Sequence, residues 1–454
     1  MNVSARSALS AARDAFRAQL WPIPVTGVVL AVLAGIFLPS LDAGIDGNLP
    51  GWLDSVVFSG DPGASRTVLD AVASSLITVT ALTFSLTVVT LQLASSQFSP
   101  RLLRTFTQDV FVQATLALFL ATFTYSLTVL RSVRSNAEGG NAAFVPRLAV
   151  TVSFLLALAS VIGLVLFLAH LTRQIRVETM LRNVHLDASH TITANLVQLD
   201  DESPSAPPRP SQPALVFATD SGFILRIDQS KLVDLADDVD VVICLDREPG
   251  EFVVVGTPLA SFWLRDGGSP GDPDLVMRVR KGVGKAVHAG PERTAAQDVG
   301  HGLRQLTDVV NKALSPGIND PTTAVHALGH TSSLLVELMG YQLGRATLAD
   351  DAGVPRVILT RPTFEHFLDA AITQPRKYGA SDPDVVWALY RLLNDLAWNA
   401  PAVYRSVVAD QVERLRASVT DESFDAVERK RFAELDREVI NTLWRPSHPR
   451  DDMN

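Results

Sequence analysis

The sequence predicts a helical membrane domain of four transmembrane helices, followed by a cytoplasmic α+β region made of a small β domain and a helical domain. Three observations carry that reading. Over 454 residues the chain is 47% hydrophobic but only 19% charged, an apolar excess that argues against a fully soluble protein. Four stretches contain no Asp, Glu, Lys or Arg: 18–41, 71–100, 110–130 and 148–172. Charge is also unevenly placed, because residues 1–176 hold 11 Arg, no Lys and 8 acids, a net +3, so the overall −9 leaves −12 for the remainder.

A helix needs about 20 apolar residues to cross roughly 30 Å of hydrocarbon. The fragments VVLAVLAGIFL, LITVTALTFSLTVVTLQLA, FVQATLALFLATFTYSLTVL and VTVSFLLALASVIGLVLFLAHL meet that length and place spans at about 21–41, 71–97, 110–130 and 148–171 of a domain covering 21–176. A cleaved signal peptide competes for the first span, but its long leader and Pro22, Pro24 and Pro39 around its core argue against cleavage. Arg6, Arg13 and Arg17 precede the first span, Arg101 and Arg104 follow the second, and Arg173, Arg176 and Arg182 follow the fourth. The other side holds Arg66, Arg131, Arg134 and Arg147 with an Asp-rich first loop. Cationic loops are retained in the cytoplasm, so the expectation is a multi-pass protein of the bacterial inner membrane with both termini cytoplasmic. Residues 1–20 place Leu9, Ala12, Phe16 and Leu20 at helical spacing, either as an amphipathic helix on the inner leaflet or as an ordinary positively charged lead-in.

Residues 177–213 read as a stalk helix and a linker, with five prolines in DESPSAPPRPSQP. Short β runs then define a small β domain over 214–290, including FILRID, VDVVICL and FVVV. Its stretch EPGEFVVVGTPLASF resembles half of a biotinyl/lipoyl-type barrel sandwich, but no lysine occupies the turn, so a carrier role is not expected. A helical period returns over 291–445. Ser315-Pro316-Gly317 stops one helix, Asp320-Pro321 and Asp382-Pro383 start others, Asp421 precedes the last amphipathic run, and 446–454 is a tail.

The segments LTFSLTVVTLQLASSQFSPRLLRTF, PGEFVVVGTPLA and RTAAQDVGHGLRQLTDVVNKALSPGINDPTTA, set in this four-span layout, resemble the domain-of-unknown-function 2254 family of predicted bacterial membrane proteins over about residues 10–440. The resemblance implies a membrane location and no assigned activity, so function has to come from the residues.

On the second span Thr80, Thr83, Thr87, Thr90 and Gln97 share one face. Hydroxyls there can line a pore in a homo-oligomer, or pack helix on helix while bonding the preceding turn's carbonyls. Arg101 and Arg104, one turn apart, form either a cationic ring at a cytoplasmic mouth or a lipid-phosphate anchor. No acid or base lies at any span's centre, which argues against proton-coupled transport. In SPGINDPTTAV, Asn319, Asp320, Thr322 and Thr323 gather at a helix start suited to an anion, or merely to a capped connection. His326 and His330 share a helix face as weak metal candidates, without the glutamate of a zinc protease motif. The lone Cys244 makes no disulfide or zinc pattern, and the acidic balance argues against nucleic acid.

No catalytic motif appears, so neither an enzyme nor a cofactor is expected. Partners are the lipid bilayer, further copies of the chain, and ions or a small cytoplasmic ligand. The leading expectation is a homo-oligomeric channel-like pore gated by its cytoplasmic domains; the alternative is a membrane-anchored sensor or scaffold that binds a ligand or partner. The two differ in where Thr83 and Thr87 lie: on an axis between copies, or buried among the helices of one subunit.

Overall fold

The computed structural model describes residues 21–45, 57–97, 109–134, 144–174 and 176–445, which divide into one compact unit up to Arg176 and a second from Val177. Among the described residues the first unit holds four helices, α1 (Pro22–Ile45), α2 (Pro62–Gln97), α3 (Val110–Leu130) and α4 (Arg147–Gln174), all long and apolar enough to cross a membrane. α2 begins well before its uncharged run. Asp61 accepts the Ala64 N–H at 2.8 Å and Pro62 opens the helix, so Arg66 and Asp70 ride on extra N-terminal turns that a charge-free criterion discards.

α3 packs against all three other helices. Its approach to α1 depends on Gly27, Ala31 and Gly35, spaced four apart. A Cβ on Gly27 would stand 3.3 Å from the Ala117 Cβ, and one on Gly35 would stand 2.8 Å from the Thr128 Cβ. α3 and α4 are joined by hydroxyl pairs, Ser126 to Ser153 at 2.8 Å and Thr122 to Ser160 at 3.2 Å, while the Tyr125 hydroxyl donates to the Ala149 carbonyl at 3.0 Å. At one end of the unit the buried Asp42 carboxylate accepts the Leu148 and Ala149 N–H groups at 3.2 and 3.1 Å, satisfying free donors at the start of α4. At the other, Asp109 caps α3 and lies 2.6 Å from His170 of α4.

The second unit starts with α5 (Val177–Asn195) and contains β1 (Ala214–Phe217), β2 (Gly222–Ile227), α6 (Gln229–Asp238), β3 (Val241–Leu245), β4 (Phe252–Val253), β5 (Pro258–Leu264), α7 (Pro273–Ala286), β6 (Val287–Gly290), α8 (His301–Ala313) and α9 (Pro321–Leu338). It continues with β7 (Ala346–Ala349), β8 (Pro355–Leu359), α10 (Phe364–Gly379), α11 (Pro383–Asn399), α12 (Arg405–Thr420) and α13 (Ala426–Leu443). One sheet has the order β1-β5-β3-β8-β7, and a smaller one the order β4-β2-β6. β3 is central and buried on both faces. Val241, Ile243 and Leu245 join a core with α6 and α7, whereas Val242 and Cys244 meet Trp263 and Ile358 on the opposite face.

Several sequence boundaries shift here. The 177–195 helix, expected as a stalk, packs on α8 and α9 and buries Leu181, Val184 and Ile192. The proline-rich 201–213 segment is tied down by Arg209, whose guanidinium donates to Asp246 at 2.6 Å. Two strands of the main sheet, β7 and β8, come from the stretch expected to be wholly helical; four- and five-residue runs between long helices carry too little pattern to stand out. EPGEFVVVGTPLASF does not form half of a barrel sandwich, because β4 pairs with β2 and β5 pairs with β1 and β3 in a different sheet. The last helix is capped by Asp425 in a capping box with Glu428, past the expected Asp421, which instead ends α12.

β8 is held to α6 by Arg356, which donates to Asp350 at 2.8 Å, Asp240 at 2.6 Å and Asp237 at 2.7 Å. Arg356→Met leaves the nearly buried Asp350 without its cation and is expected to lower the thermal midpoint by several degrees. In the first unit Gly35→Leu drives a side chain into Thr128 and is expected to cost about 1–3 kcal/mol, read as earlier loss of the monodisperse peak on heating in detergent.

Candidate functional site

The threonine face of α2 lies inside the first unit. Thr80, Thr83, Thr87 and Thr90 are all buried, and their hydroxyls donate to the carbonyls of Leu76, Val79, Thr83 and Leu86 at 2.6 to 2.8 Å. These are back-bonds to the preceding turn, the satisfaction expected of hydroxyls at a helix–helix contact. Gln97 ends α2, with its side chain outside the described residues, as are Arg101 and Arg104.

The SPGIND segment closes on itself. Asn319, with φ at 51°, donates its N–H to the Ser315 carbonyl at 2.9 Å, and Asp320 donates its N–H to Ala313 at 2.8 Å. The Asp320 carboxylate accepts the Thr323 N–H at 3.1 Å and its hydroxyl at 2.6 Å, and these bonds hold its pKa below the usual carboxylate range. Thr322 and Asn319 are exposed. Asp320 and Thr323 are therefore engaged in capping α9. His330 faces His185, with ring centroids 5.3 Å apart, while His326 is exposed; burial, His185 and His326 together push the His330 pKa down. Among the described residues no three His, Cys, Asp or Glu side chains gather as a metal site.

A different place draws polar groups together. β3 and β8 run parallel and end side by side, Leu245 opposite Leu359. The loops that leave these two ends, 246–251 and 360–363, enclose a pocket with the start of α8 and the end of α5. Crevices outside the carboxyl ends of parallel strands are where open α/β sheets hold ligands.

The first loop turns at Pro249-Gly250. Gly250 has φ at 85°, and its N–H donates to the Ile224 carbonyl at 2.7 Å. A Cβ there would also collide with the Asp298 carboxylate and the Arg293 guanidinium, so only glycine meets both demands. Asp298 is itself buried and accepts from Arg293 at 2.9 and 2.5 Å. The Gln297 amide clamps both backbone groups of Ile227, and Asn195 donates to the carbonyls of Thr191 and Ala296. The frame is thus satisfied from within.

Two lining groups are different. Burial, then the neighbouring Glu251 and Asp298 carboxylates, push the Glu248 pKa up to about 7, against the pull of Arg304 and Arg293. Arg361 makes no hydrogen bond or ion pair among the described residues; its Nη1 is shut off from water, and burial lowers its pKa. Neither residue stood out in the sequence. The signals present were the Pro-Gly turn after Glu248 and the proline after Arg361, both of which read as ordinary loop punctuation.

A model of the predicted membrane protein family DUF2254 matches residues 17–395. The chain belongs to this family. An uncharacterized protein of Mycobacterium tuberculosis is 36% identical over 393 residues, covering 85% of this chain and 73% of its own length. An uncharacterized protein of Mycobacterium bovis matches with the same identity and coverage. No solved structure matches. The family match spans both loops of the pocket, so Glu248 and Arg361 lie within the part of the chain that DUF2254 describes.

The raised Glu248 pKa makes a signed prediction for this DUF2254 chain. The folded carboxyl holds its proton up to about pH 7, whereas the unfolded one releases it near the ordinary value of 4.5. Its contribution to stability is therefore undiminished below about pH 4.5, falls as pH rises through that window, and is lowest above about pH 7. Glu248→Gln is expected to flatten the decline of thermal midpoint across that window and to raise the midpoint at pH 8. An unchanged slope would show that Glu248 ionises freely in the fold.

Proposed function

We propose that this is a four-span inner-membrane protein, both termini cytoplasmic, whose second unit is a cytoplasmic sensor module that binds a small ligand. The observation that carries the binding role is the pocket at the ends of β3 and β8. It joins an apolar wall of Ile227, Leu359 and Phe367 to the neutral Gln229 and Thr360 side chains and to two ionisable ones, Glu248 and Arg361, that make no side-chain hydrogen bond among the described residues. Membrane embedding is supported by the inverted polarity of the first unit. Leu30, Leu33, Ile36 and Phe37 of α1 and Phe154, Leu158, Val161 and Val165 of α4 are exposed, while Thr122, Ser126, Ser153 and Ser160 are buried. Water would reverse that arrangement and lipid stabilises it.

The sensor reading is preferred to a conducting path along α2 for a physical reason. The hydroxyls that would line such a path are buried within a single subunit and bonded to carbonyls of their own helix.

Two measurements test the proposal. With Cys244 replaced by Ala, an impermeant thiol reagent added to intact spheroplasts is expected to label Ala64→Cys but to reach Ser211→Cys only after permeabilisation. The reverse pattern would invert the topology. Separately, a panel of neutral, cationic and anionic small molecules is expected to contain at least one class that raises the thermal midpoint of the full chain in detergent. That rise should disappear in Leu343→Trp, which fills the pocket. A panel without effect on wild type would remove the sensor reading.

A further inference from the structure

Resting on the binding role proposed above, we infer that the pocket takes a small monocarboxylic acid with a short apolar body, its carboxylate seated on Arg361. Three other guanidiniums of this chain are satisfied by carboxylates. Arg356 is 6% exposed and meets three carboxylates, Arg293 meets Asp298, and Arg416 meets Asp436 at 3.0 and 2.8 Å. Arg361 has no such partner among the described residues, although its Nη1 is removed from solvent. A buried donor without an acceptor is destabilising, more so when it is charged, and an incoming anion relieves that cost.

The place of Arg361 in the fold points the same way. Arg361 is the second residue beyond β8, and the loop across from it leaves β3 at the same edge of the sheet. The backbone of Gly300, at the start of α8, lines the same space. Asn195, Gln297 and Asp298 also border it, but their polar atoms are engaged by backbone groups and by Arg293. The Gln229 amide and the Thr360 hydroxyl line the space as neutral groups, so the guanidinium is the charged donor left for a ligand among the described residues, with Leu359, Pro362 and Phe367 forming the apolar part of the wall.

Charge and shape narrow the anion. A guanidinium matches a planar carboxylate with two parallel N–H bonds. Glu248 and Asp298 border the same pocket, so a doubly charged phosphate meets more repulsion there than a single carboxylate does. The cavity holds only about 40 Å³ and is partly open, so it seats the carboxylate and first carbons of an acid, while the apolar wall at its mouth favours a short hydrocarbon body over acetate or formate.

The test uses the full chain in detergent and calorimetric titration with hexanoate, hexanamide, hexylamine, acetate and inorganic phosphate. Hexanoate is expected to bind at least tenfold more tightly than hexanamide or acetate. Arg361→Met should lose that preference while keeping a folded, monodisperse protein, and Arg361→Lys should retain part of it. Leu343→Trp should abolish binding without touching the guanidinium. The inference is overturned if hexanoate binds Arg361→Met as well as wild type, if hexanamide matches hexanoate, or if phosphate alone binds. Binding of hexylamine or hexanamide without hexanoate would leave the sensor reading standing and remove the acid. Silence from all five probes and from the wider panel would remove both.

Discussion

The parallel pairing of Val241–Leu245 with Pro355–Leu359 is the constraint on which the second unit depends. A parallel neighbour cannot be reached by a tight hairpin, so the chain between these strands must leave the sheet and return, and here it builds α7, α8 and α9 on the way. The pairing fixes both strand ends at one edge. It also sets β3 between hydrogen-bonded neighbours, with apolar contacts on both faces. Arg356, inside β8, then ties the strand to the end of α6 through Asp237 and Asp240 and to the β7–β8 turn through Asp350, so the register that positions Arg361 is held by charge as well as by the ladder. Loops attached to so defined an edge hold their side chains better than loops on a mobile surface.

In the first unit the governing constraint is the solvent for which it is built. The apolar side chains of α1 and α4 point outward, so hydrophobic burial against neighbouring helices contributes little to holding the bundle together. Close backbone approach and hydroxyl pairing take its place. Gly27 and Gly35 let α1 come down on α3, and Ser126–Ser153 and Thr122–Ser160 join α3 to α4. The same physics accounts for the polar face of α2. A threonine whose hydroxyl returns to its own helix offers its neighbours a methyl group and exposes no unsatisfied donor.

How much of this could be read from the sequence follows from the range of each signal. The four apolar stretches and the caps at Asp320 and Asp382 were visible because each is a local pattern, complete within a few residues. The polar stripe on α2 was equally visible, but spacing alone gives a face and not what the face meets. Packing on α3 decides that. The strands β7 and β8 escaped because they are short and embedded among helices. With them escaped the pocket, since Glu248 and Arg361 come from loops that only the β3–β8 pairing brings together. A site assembled by a non-local strand pair leaves no spacing for a motif to record.

Glu248 and Arg361, the ionisable residues of that pocket without side-chain partners among the described residues, respond to burial in opposite ways, and the difference sets the character of the site. Removing water disfavours the charged form of both. Glu248 can escape the penalty by holding a proton, and its pKa rises to about 7 with Glu251 and Asp298 adding to the shift. Arg361 has no such escape, because a guanidinium stays protonated at any physiological pH even when burial lowers its pKa. Near neutrality the pocket therefore keeps its positive charge while part of its negative charge is discharged. An anion entering it meets a donor whose Nη1 water does not reach and which has no competing bond to break among the described residues.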